Sequence, residues 1–180
     1  MATITINEAF FREPRFRPPQ VLRICRVERD NLLDWHRRDL LPDARTAKGR
    51  GHRRLYSVRD AIYINTVRIL AEADAPLDEA ALLAADMVDA AAGLFPRQVA
   101  AVHMGRHTDQ MADCFVVLYR FDGQWRNQWF GINGCDPIPS GGLQGWMRSL
   151  NLESAVVLDI NSITTMLFNR ILEELEVSAD

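Results

Sequence analysis

Residues 27–60 read VERDNLLDWHRRDLLPDARTAKGRGHRRLYSVRD, and this stretch decides the fold of the N-terminal part of the chain. Residues 29–39 form its first helical segment, because Leu32 and Trp35 recur at helical spacing and face inward. We expect Leu33 to face inward with them. A Leu-Leu-Pro sequence then ends the helix, since a proline ring is incompatible with the next helical turn.

A basic loop and a longer helix follow this first segment. Residues 43–52 are polar, glycine-bearing and basic, which is typical of a hairpin-like loop, and residues 53–56 supply its returning strand. Ser57 is a good N-cap, and Asp60 lies three residues later, where a carboxylate favours a helix N-terminus. The next helix is therefore predicted over residues 58–73, with its apolar side chains on or near one face.

The flanking segments complete the N-terminal part. Residues 1–15 show no clear period, so they are predicted to be a flexible N-terminal arm. The two prolines at 18–19 suit the start of a helix, because the missing N–H has no intrahelical partner there, and a short helix is predicted over 20–26. An alanine-rich helix is predicted over 78–92, before a boundary at Leu94-Phe95-Pro96.

Matches to one known pattern run through this region in chain order. They are Phe16, Pro19, Gln20, Val21, Val27, Leu32, Trp35, His36, Arg37, Leu40, Leu41, Pro42, Arg54, Tyr56, Ser57 and Asp60. The pattern resembles the winged helix-turn-helix of the MerR family and its excisionase-like relatives, over about residues 16–85. Leu33 and Asp39 depart from it, since many members have Arg and Gly there. The chain shows neither the long dimerisation helix of many MerR-type sensors nor a cysteine cluster, so metal sensing is not implied.

The resemblance implies DNA binding by two elements. A major groove ~12 Å wide admits one helix, and the helix over 29–39 would lie in it. The basic hairpin beside it, the wing, would reach phosphates or the adjacent minor groove, where arginine is favoured. Phosphate contacts would supply affinity, whereas Arg29, Asn31 and Arg37 would choose bases. The predicted DNA-binding residues are Arg29, Asn31, Arg37, Arg38, Arg45, Lys48, Arg50, Arg53, Arg54 and, through its hydroxyl group, Tyr56.

The charges are divided unequally along the chain. Residues 1–70 hold 15 Lys and Arg against 8 Asp and Glu, whereas residues 71–180 hold 6 against 16, for a net charge of -3. Every basic residue except Lys48 is arginine, whose planar guanidinium fits phosphates and guanine edges. A basic N-terminal part joined to an acidic C-terminal part favours a polyanionic partner for the first.

The C-terminal half is predicted to be a small α/β domain. Residues 114–121 and 125–132 are strand-like and flank Asp122-Gly123, a two-residue hairpin signal. The aromatic side chains between residues 121 and 146 are expected to form a core, with a ligand pocket as the alternative. The remaining predicted elements are a loop over 133–145, a buried strand over 154–160 and a closing helix over 163–175.

Residue patterns for metal or catalytic chemistry are weak. His103 and His107 share a helix face, but no Glu follows His103, so the H-E-x-x-H zinc pattern is absent and no metal site is predicted. Gly141-Gly142 belongs to neither phosphate-loop pattern, and Cys135 has no base partner evident in the sequence. No paired carboxylates stand out, so we expect neither an enzyme nor a bound cofactor.

The chain as a whole is predicted to have an α+β fold in two domains. A mainly helical winged helix-turn-helix domain over 16–93 precedes a small α/β domain over 97–180 that dimerises or binds a partner or ligand. Three widely spaced cysteines indicate a reduced, cytoplasmic chain, and no stretch approaches ~18 apolar residues, so no transmembrane helix is expected.

The predicted function is that of a bacterial, sequence-specific transcriptional regulator associated with the nucleoid. We expect it to bind double-stranded DNA as a homodimer through the C-terminal domain, by the helix over 161–176 in preference to the helix over 78–92. RNA polymerase or another protein is a further expected partner of the acidic domain. The alternatives are a phage-type excisionase or small-terminase-like recruitment protein, and a DNA-binding module fused to a small-molecule sensor.

Overall fold

The structure, a computed structural model, describes residues 8–41, 54–103, 114–131, 136–137, 139–150, 152 and 154–177, without the side chains of residues 8, 92–103 and 176–177. In chain order the elements are α1 (Glu8–Arg12), α2 (Pro18–Cys25), α3 (Arg29–Arg37), α4 (Val58–Glu72), α5 (Leu77–His103), β1 (Cys114–Phe121), β2 (Gln124–Gly131), α6 (Gly142–Ser149), β3 (Ser154–Asp159) and α7 (Ile160–Val177).

The chain divides into two compact units, residues 1–100 together with 164–180, and residues 101–163. This division differs from the predicted one, which assigned all of residues 97–180 to the C-terminal domain. A helical first unit and a sheet-containing second unit give the α+β fold that the sequence predicts.

The three helices at the centre of the first unit agree with the sequence predictions. The bounds of α2, α3 and α4 lie within two residues of the predicted ends. The predicted N-cap of α4 is confirmed: the Asp60 N–H donates to Ser57 Oγ (3.2 Å), and the Ser57 N–H donates to the Asp60 carboxylate (2.6 Å). This reciprocal capping box satisfies two of the N–H groups that a helix start leaves unpaired.

The prediction of a flexible arm over 1–15 is wrong for its described residues. Residues 8–12 form the short helix α1, and Phe10 and Phe11 are both buried in the core of the first unit. The guanidinium of Arg15 lies 4.5 Å from the centre of the Phe10 ring. A five-residue helix is too short to show a period in the sequence, and burial of its two aromatic rings stabilises it.

The predicted boundary at residues 94–96 is also wrong, because α5 continues through it to His103. Proline removes one helical hydrogen bond. Pro96 is nevertheless flanked by Ala90-Ala91-Ala92 and Val99-Ala100-Ala101, and alanine is the strongest helix former. The expectation that no long helix follows the helix-turn-helix is therefore corrected as well, since α5 has 27 residues.

Helix α7 packs against α2 of the first unit. Leu167, Phe168 and Ile171 are buried in the same apolar core as Val21 and Ile24 of α2. Two polar contacts hold the helices together: the Arg23 Nε–H donates to Glu174 Oε2 (3.0 Å), and an Arg170 guanidinium N–H donates to the carbonyl of Ile24 (3.1 Å).

This packing corrects the predicted dimer surface. The apolar face expected to join two chains through residues 161–176 lies largely inside the core of its own chain. Of its members, Leu167 and Ile171 are almost completely buried, while Met166 is 50% exposed. α7 also starts three residues before the predicted position 163, because the Asp159 carboxylate accepts hydrogen bonds from the Ser162 N–H (3.1 Å) and hydroxyl (2.7 Å).

The second unit contains an antiparallel sheet with strand order β2-β1-β3. β1 matches its predicted range, and β2 starts one residue earlier than predicted. Asp122 and Gly123 both have positive φ angles, 52° and 72°, which is the backbone of a type I′ turn and confirms the hairpin prediction.

The predicted loop over 133–145 is wrong at its C-terminal end, because α6 begins at Gly142. Leu143, Trp146 and Met147 follow helical spacing and pack on the sheet face that carries Val117 and Phe130. The Trp146 ring meets Phe130 edge to face, with centroids 4.9 Å apart. These contacts place Phe130 and Trp146 of the predicted aromatic core in one cluster, whereas Phe121 is 36% exposed.

No helix within the described residues is long and apolar enough to span a membrane. The described cysteines, Cys25 and Cys114, are both buried, and neither is in a disulfide. Burial raises the pKa of the Cys25 thiol to about 12, and its sulfur lies 3.3 Å from the carbonyl oxygen of Ala61. A buried thiol with so high a pKa is unreactive and fills space in the core.

Candidate nucleic-acid interface

A tight turn sets the angle between α2 and α3. Arg26 ends α2 in the left-handed conformation (φ 51°, ψ 42°), and the Val27 N–H returns to the carbonyl of Leu22 (3.2 Å). Val27 is buried, which anchors the turn in the core. A helix end closed by a left-handed residue and such a backward hydrogen bond has a defined exit direction, so α3 leaves α2 at a fixed angle.

Helix α3 presents one apolar side to the core and a charged side to solvent. Leu32 and Trp35 are buried, as predicted. Leu33, which was expected to join them, is 39% exposed instead. Because each residue turns a helix by about 100°, Leu33 stands far around the helix from Trp35, and this rotation is the signal that would have placed it outside.

The predicted DNA-binding residues of this segment are all exposed. Arg29, Asn31, Arg37 and Arg38 are exposed. Arg38 follows the last residue of α3 and forms a long, exposed ion pair with Asp34 (3.7 Å). Exposed ion pairs contribute little to stability, so this pairing leaves the Arg38 guanidinium available to an external anion.

The segment over residues 54–56, which follows the predicted wing, is joined to the segment that precedes α2. Phe16 and Tyr56 form an antiparallel bridge, with the Tyr56 N–H donating to Phe16 O (2.8 Å) and the Phe16 N–H donating to Tyr56 O (2.9 Å). Both side chains are buried. The bridge fixes where Arg54, two residues earlier and exposed, reaches the surface.

A side-chain hydrogen bond links the same segment to α3. His36 Nε2 lies 2.8 Å from the Tyr56 hydroxyl oxygen, and the positive charge of Arg54 also acts on that hydroxyl. Tyr56 was predicted to offer its hydroxyl to a phosphate. In the structure the residue is 2% exposed and its hydroxyl is paired with His36, so it connects α3 to the segment over residues 54–56.

Burial and the Arg54 charge shift the pKa values of His36 and Tyr56, the two partners of this bond. Partial burial, and then the nearby guanidinium of Arg54, lower the pKa of His36 below its usual value of 6.5. Burial is also the main reason why the pKa of the Tyr56 hydroxyl is raised. Both groups are therefore neutral near pH 7, and arginine supplies the positive charge of this surface.

The structure brings Arg29 and Arg54 together around one groove of about 560 Å³. Its base is apolar, and Leu33 forms part of its wall. We call it the α3 groove. The residues that line it are Pro18, Pro19, Leu22, Arg29, Leu32, Leu33, His36, Arg54 and Tyr56.

Asn31 lies in a different place. It lines a separate hollow of about 390 Å³ with Asp34 and Trp35, against Asp74 and Ala75 of the turn between α4 and α5. Of the predicted base-reading residues, Arg29 therefore shares the α3 groove with Arg54, and Asn31 does not. Sequence spacing alone does not separate Arg29 from Asn31, because both are expected to point outward from one helix.

The other predicted site residues lie outside the described part of the chain. The wing residues Arg45, Lys48, Arg50 and Arg53 lie there, as do His107 and Cys135. Among the described residues no group of His, Cys, Asp and Glu side chains is placed to hold a metal ion. The sequence analysis assigns no role to His36 and names it only as one match to the family pattern.

Residues 16–86 match the family model described as MerR HTH family regulatory protein. No curated protein matches the chain. The family match begins at Phe16, whose backbone pairs with Tyr56, and covers α2, α3 and α4. Its range agrees closely with the resemblance over residues 16–85. Residues 16–86 are therefore similar to the helix-turn-helix region of the MerR regulatory family, as the sequence resemblance predicts.

Proposed function

We propose that the chain is a sequence-specific transcriptional regulator that places α3 in the major groove of double-stranded DNA. The observation that best supports this is the position of Arg29 and Arg54, which come from different elements and border the same exposed groove. Cations contributed by a helix and by its neighbouring wing segment suit a duplex, because phosphates line both edges of the groove that the helix enters.

We assign different roles to the two elements. Arg29 and Arg37 project from the exposed side of α3 and would contact base edges, where arginine pairs with guanine O6 and N7. Arg54 leaves the wing and would contact phosphate, which supplies affinity without base choice. The wing residues Arg45, Lys48, Arg50 and Arg53 are proposed to extend this phosphate contact.

Selection from a random duplex library with the full chain tests this function. We expect enrichment of a shared motif, and an affinity for the selected duplex at least ~10³-fold above that for a scrambled one. Arg29→Ala should weaken this preference. Arg148→Ala is the matched control, since Arg148 is an exposed arginine of the second unit.

Failure to enrich any sequence would contradict the proposed function. Tight but sequence-independent coating of the duplex would instead favour the recruitment role of excisionase-like or small-terminase-like proteins. Retained preference in Arg29→Ala would remove Arg29 from the set of base-reading residues.

We further propose that the protein binds as a homodimer in the bacterial cytoplasm, where two copies would read half-sites about one helical turn apart. With the apolar face of α7 used within the chain, the helix segment over 78–92 offers the better surface, and Leu82 on it is 67% exposed. Leu82→Glu should shift the mass in light scattering from dimer to monomer. An unchanged dimer would direct attention to the acidic second unit, which we also propose as the site for RNA polymerase or another protein.

A further inference from the structure

Leu33 is a large apolar side chain on the surface of the proposed reading helix. It is 39% exposed, whereas Leu32 and Trp35 are each 4% exposed. Single exposed leucines are common on protein surfaces, so exposure alone carries no functional meaning. The residues around Leu33 give its exposure a functional meaning.

Leu33 lies between two arginines along one side of α3. Arg29 and Arg37 are four residues before and after it, which places all three side chains along one side of α3. Both arginines are exposed, and Leu33 shares the wall of the α3 groove with Arg29 and Arg54. A surface that is basic on both sides of a leucine suits a polyanion that also offers an apolar group at the centre.

DNA offers such a group at one place in the major groove. The edges of the bases present hydrogen-bond donors and acceptors, and the C5 methyl group of thymine is the apolar exception. Leucine has no polar side-chain atom, so it cannot read the donors and acceptors. It can bury a methyl group, and it leaves a polar base edge unsatisfied where the methyl group is missing.

We infer that Leu33 determines specificity by contacting the C5 methyl group of a thymine, while Arg29 and Arg37 hold the base edges or phosphates on either side. This inference rests on the proposed function, because it requires α3 to lie in the major groove. It adds the identity of the base that the centre of the helix selects.

Replacement of thymine by deoxyuridine tests the contact, because the two bases differ only in this methyl group. The duplex is the one selected by the full chain, with each thymine replaced in turn. At one position, or at its symmetry mate in a two-fold site, the unmodified protein should lose about fourfold in affinity, the size expected for one buried methyl group. Leu33→Ala should bind more weakly overall and should show no further loss at that position.

Two variants accompany Leu33→Ala. Leu33→Met keeps an apolar side chain of similar volume and should keep the sensitivity to deoxyuridine. Met166→Ala removes an exposed apolar side chain of α7 and should leave both affinity and sensitivity unchanged. Thermal unfolding of each variant shows that it is folded, and because Leu33 is largely outside the core we expect little change.

The outcomes separate the inference from the proposed function. Sequence-selective binding with no sensitivity to deoxyuridine, or with the same sensitivity in Leu33→Ala, overturns the inference and leaves the proposed function standing. A selected site without thymine does the same. Absence of any enriched sequence overturns the proposed function, and the inference with it.

Discussion

His36 Nε2 and the Tyr56 hydroxyl oxygen lie 2.8 Å apart, and this bond connects α3 to the segment that leaves the wing. The two residues are 20 positions apart in the chain, with residues 37–55 between them. Because Tyr56 is also held by its backbone bridge to Phe16, the bond fixes α3 against a rigid partner. It therefore sets the relative positions of the two elements that we propose to contact DNA.

Removal of this bond should weaken DNA binding more than its effect on stability explains. Tyr56→Phe should lower the free energy of unfolding by about 1 kcal/mol, the typical net contribution of a hydrogen bond. If the bond orients the wing, affinity for the selected duplex should also fall, by about fivefold at an equal free-energy cost. Urea unfolding and duplex titration measure the two effects separately.

Tyr63→Phe is the matched control for this change. The Tyr63 hydroxyl donates to the carbonyl of Leu40 (2.8 Å), so the variant also loses one tyrosine hydrogen bond in the same unit. Its partner Leu40 lies outside the described segment over residues 54–56. A similar loss of affinity in both variants would show that general destabilisation, and not the link between α3 and the wing, lowers binding.

The lowered pKa of His36 predicts a pH dependence of stability. The pKa of His36 is lowered in the folded chain by burial and by Arg54, so the unfolded chain binds a proton more readily. Stability rises with pH wherever the unfolded state holds more protons. The free energy of unfolding should therefore fall as the pH decreases through about 6.5, the ordinary histidine value, and should stop changing on this account below the pKa of the folded chain.

Urea unfolding at half-unit steps from pH 7.5 to 5 measures this slope. His36→Gln keeps a group that can hydrogen-bond the Tyr56 hydroxyl but does not titrate, so the difference between the two proteins isolates His36 from the other histidines. Parallel curves for the two proteins would show that His36 does not titrate abnormally.

How far the sequence predicts this molecule depends on whether a feature is local. Ser57 and Asp60 lie one helical turn apart, so their capping box is visible in the sequence. Asp122-Gly123 likewise specifies its own turn. The contact between Arg23 and Glu174 joins residues 151 positions apart, and no local pattern in the sequence predicts it.

The candidate site follows the same division. The spacing of the pattern over 16–85 correctly places the helices α2 to α4 and the buried positions of Leu32 and Trp35, but it does not place Leu33 on the exposed side of α3. It does not show that Tyr56 uses its hydroxyl on His36, or that Arg29 and Asn31 line different hollows. Those relationships depend on how α3 packs against the wing segment and against the turn after α4, and the chain positions of the residues do not reveal them.

Replacing arginines of the wing and replacing an arginine of α3 should affect DNA binding in different ways. Arg53→Ala with Arg54→Ala should weaken binding to selected and scrambled duplexes alike, because phosphate contacts carry no sequence information. The salt dependence should flatten by about 0.9 in log–log slope for each lost phosphate contact. Arg29→Ala should instead relax base preference. Equal behaviour of the two variants, judged against Arg148→Ala, would contradict the proposed division of roles.

Ile171 tests whether α7 is part of the helix-turn-helix unit, as its packing indicates. Its side chain is fully buried in the core that includes α2, so Ile171→Ala should lower the free energy of unfolding by about 2–5 kcal/mol. Met166→Ala, five residues earlier on the same helix and half exposed, should change it by less than about 0.5 kcal/mol. For the same reason, truncation after Ile160 should expose the core and destabilise the first unit, instead of giving the folded monomer expected if α7 were a dimer helix. A truncated chain with a cooperative urea transition and unchanged midpoint would show that α7 does not belong to this core.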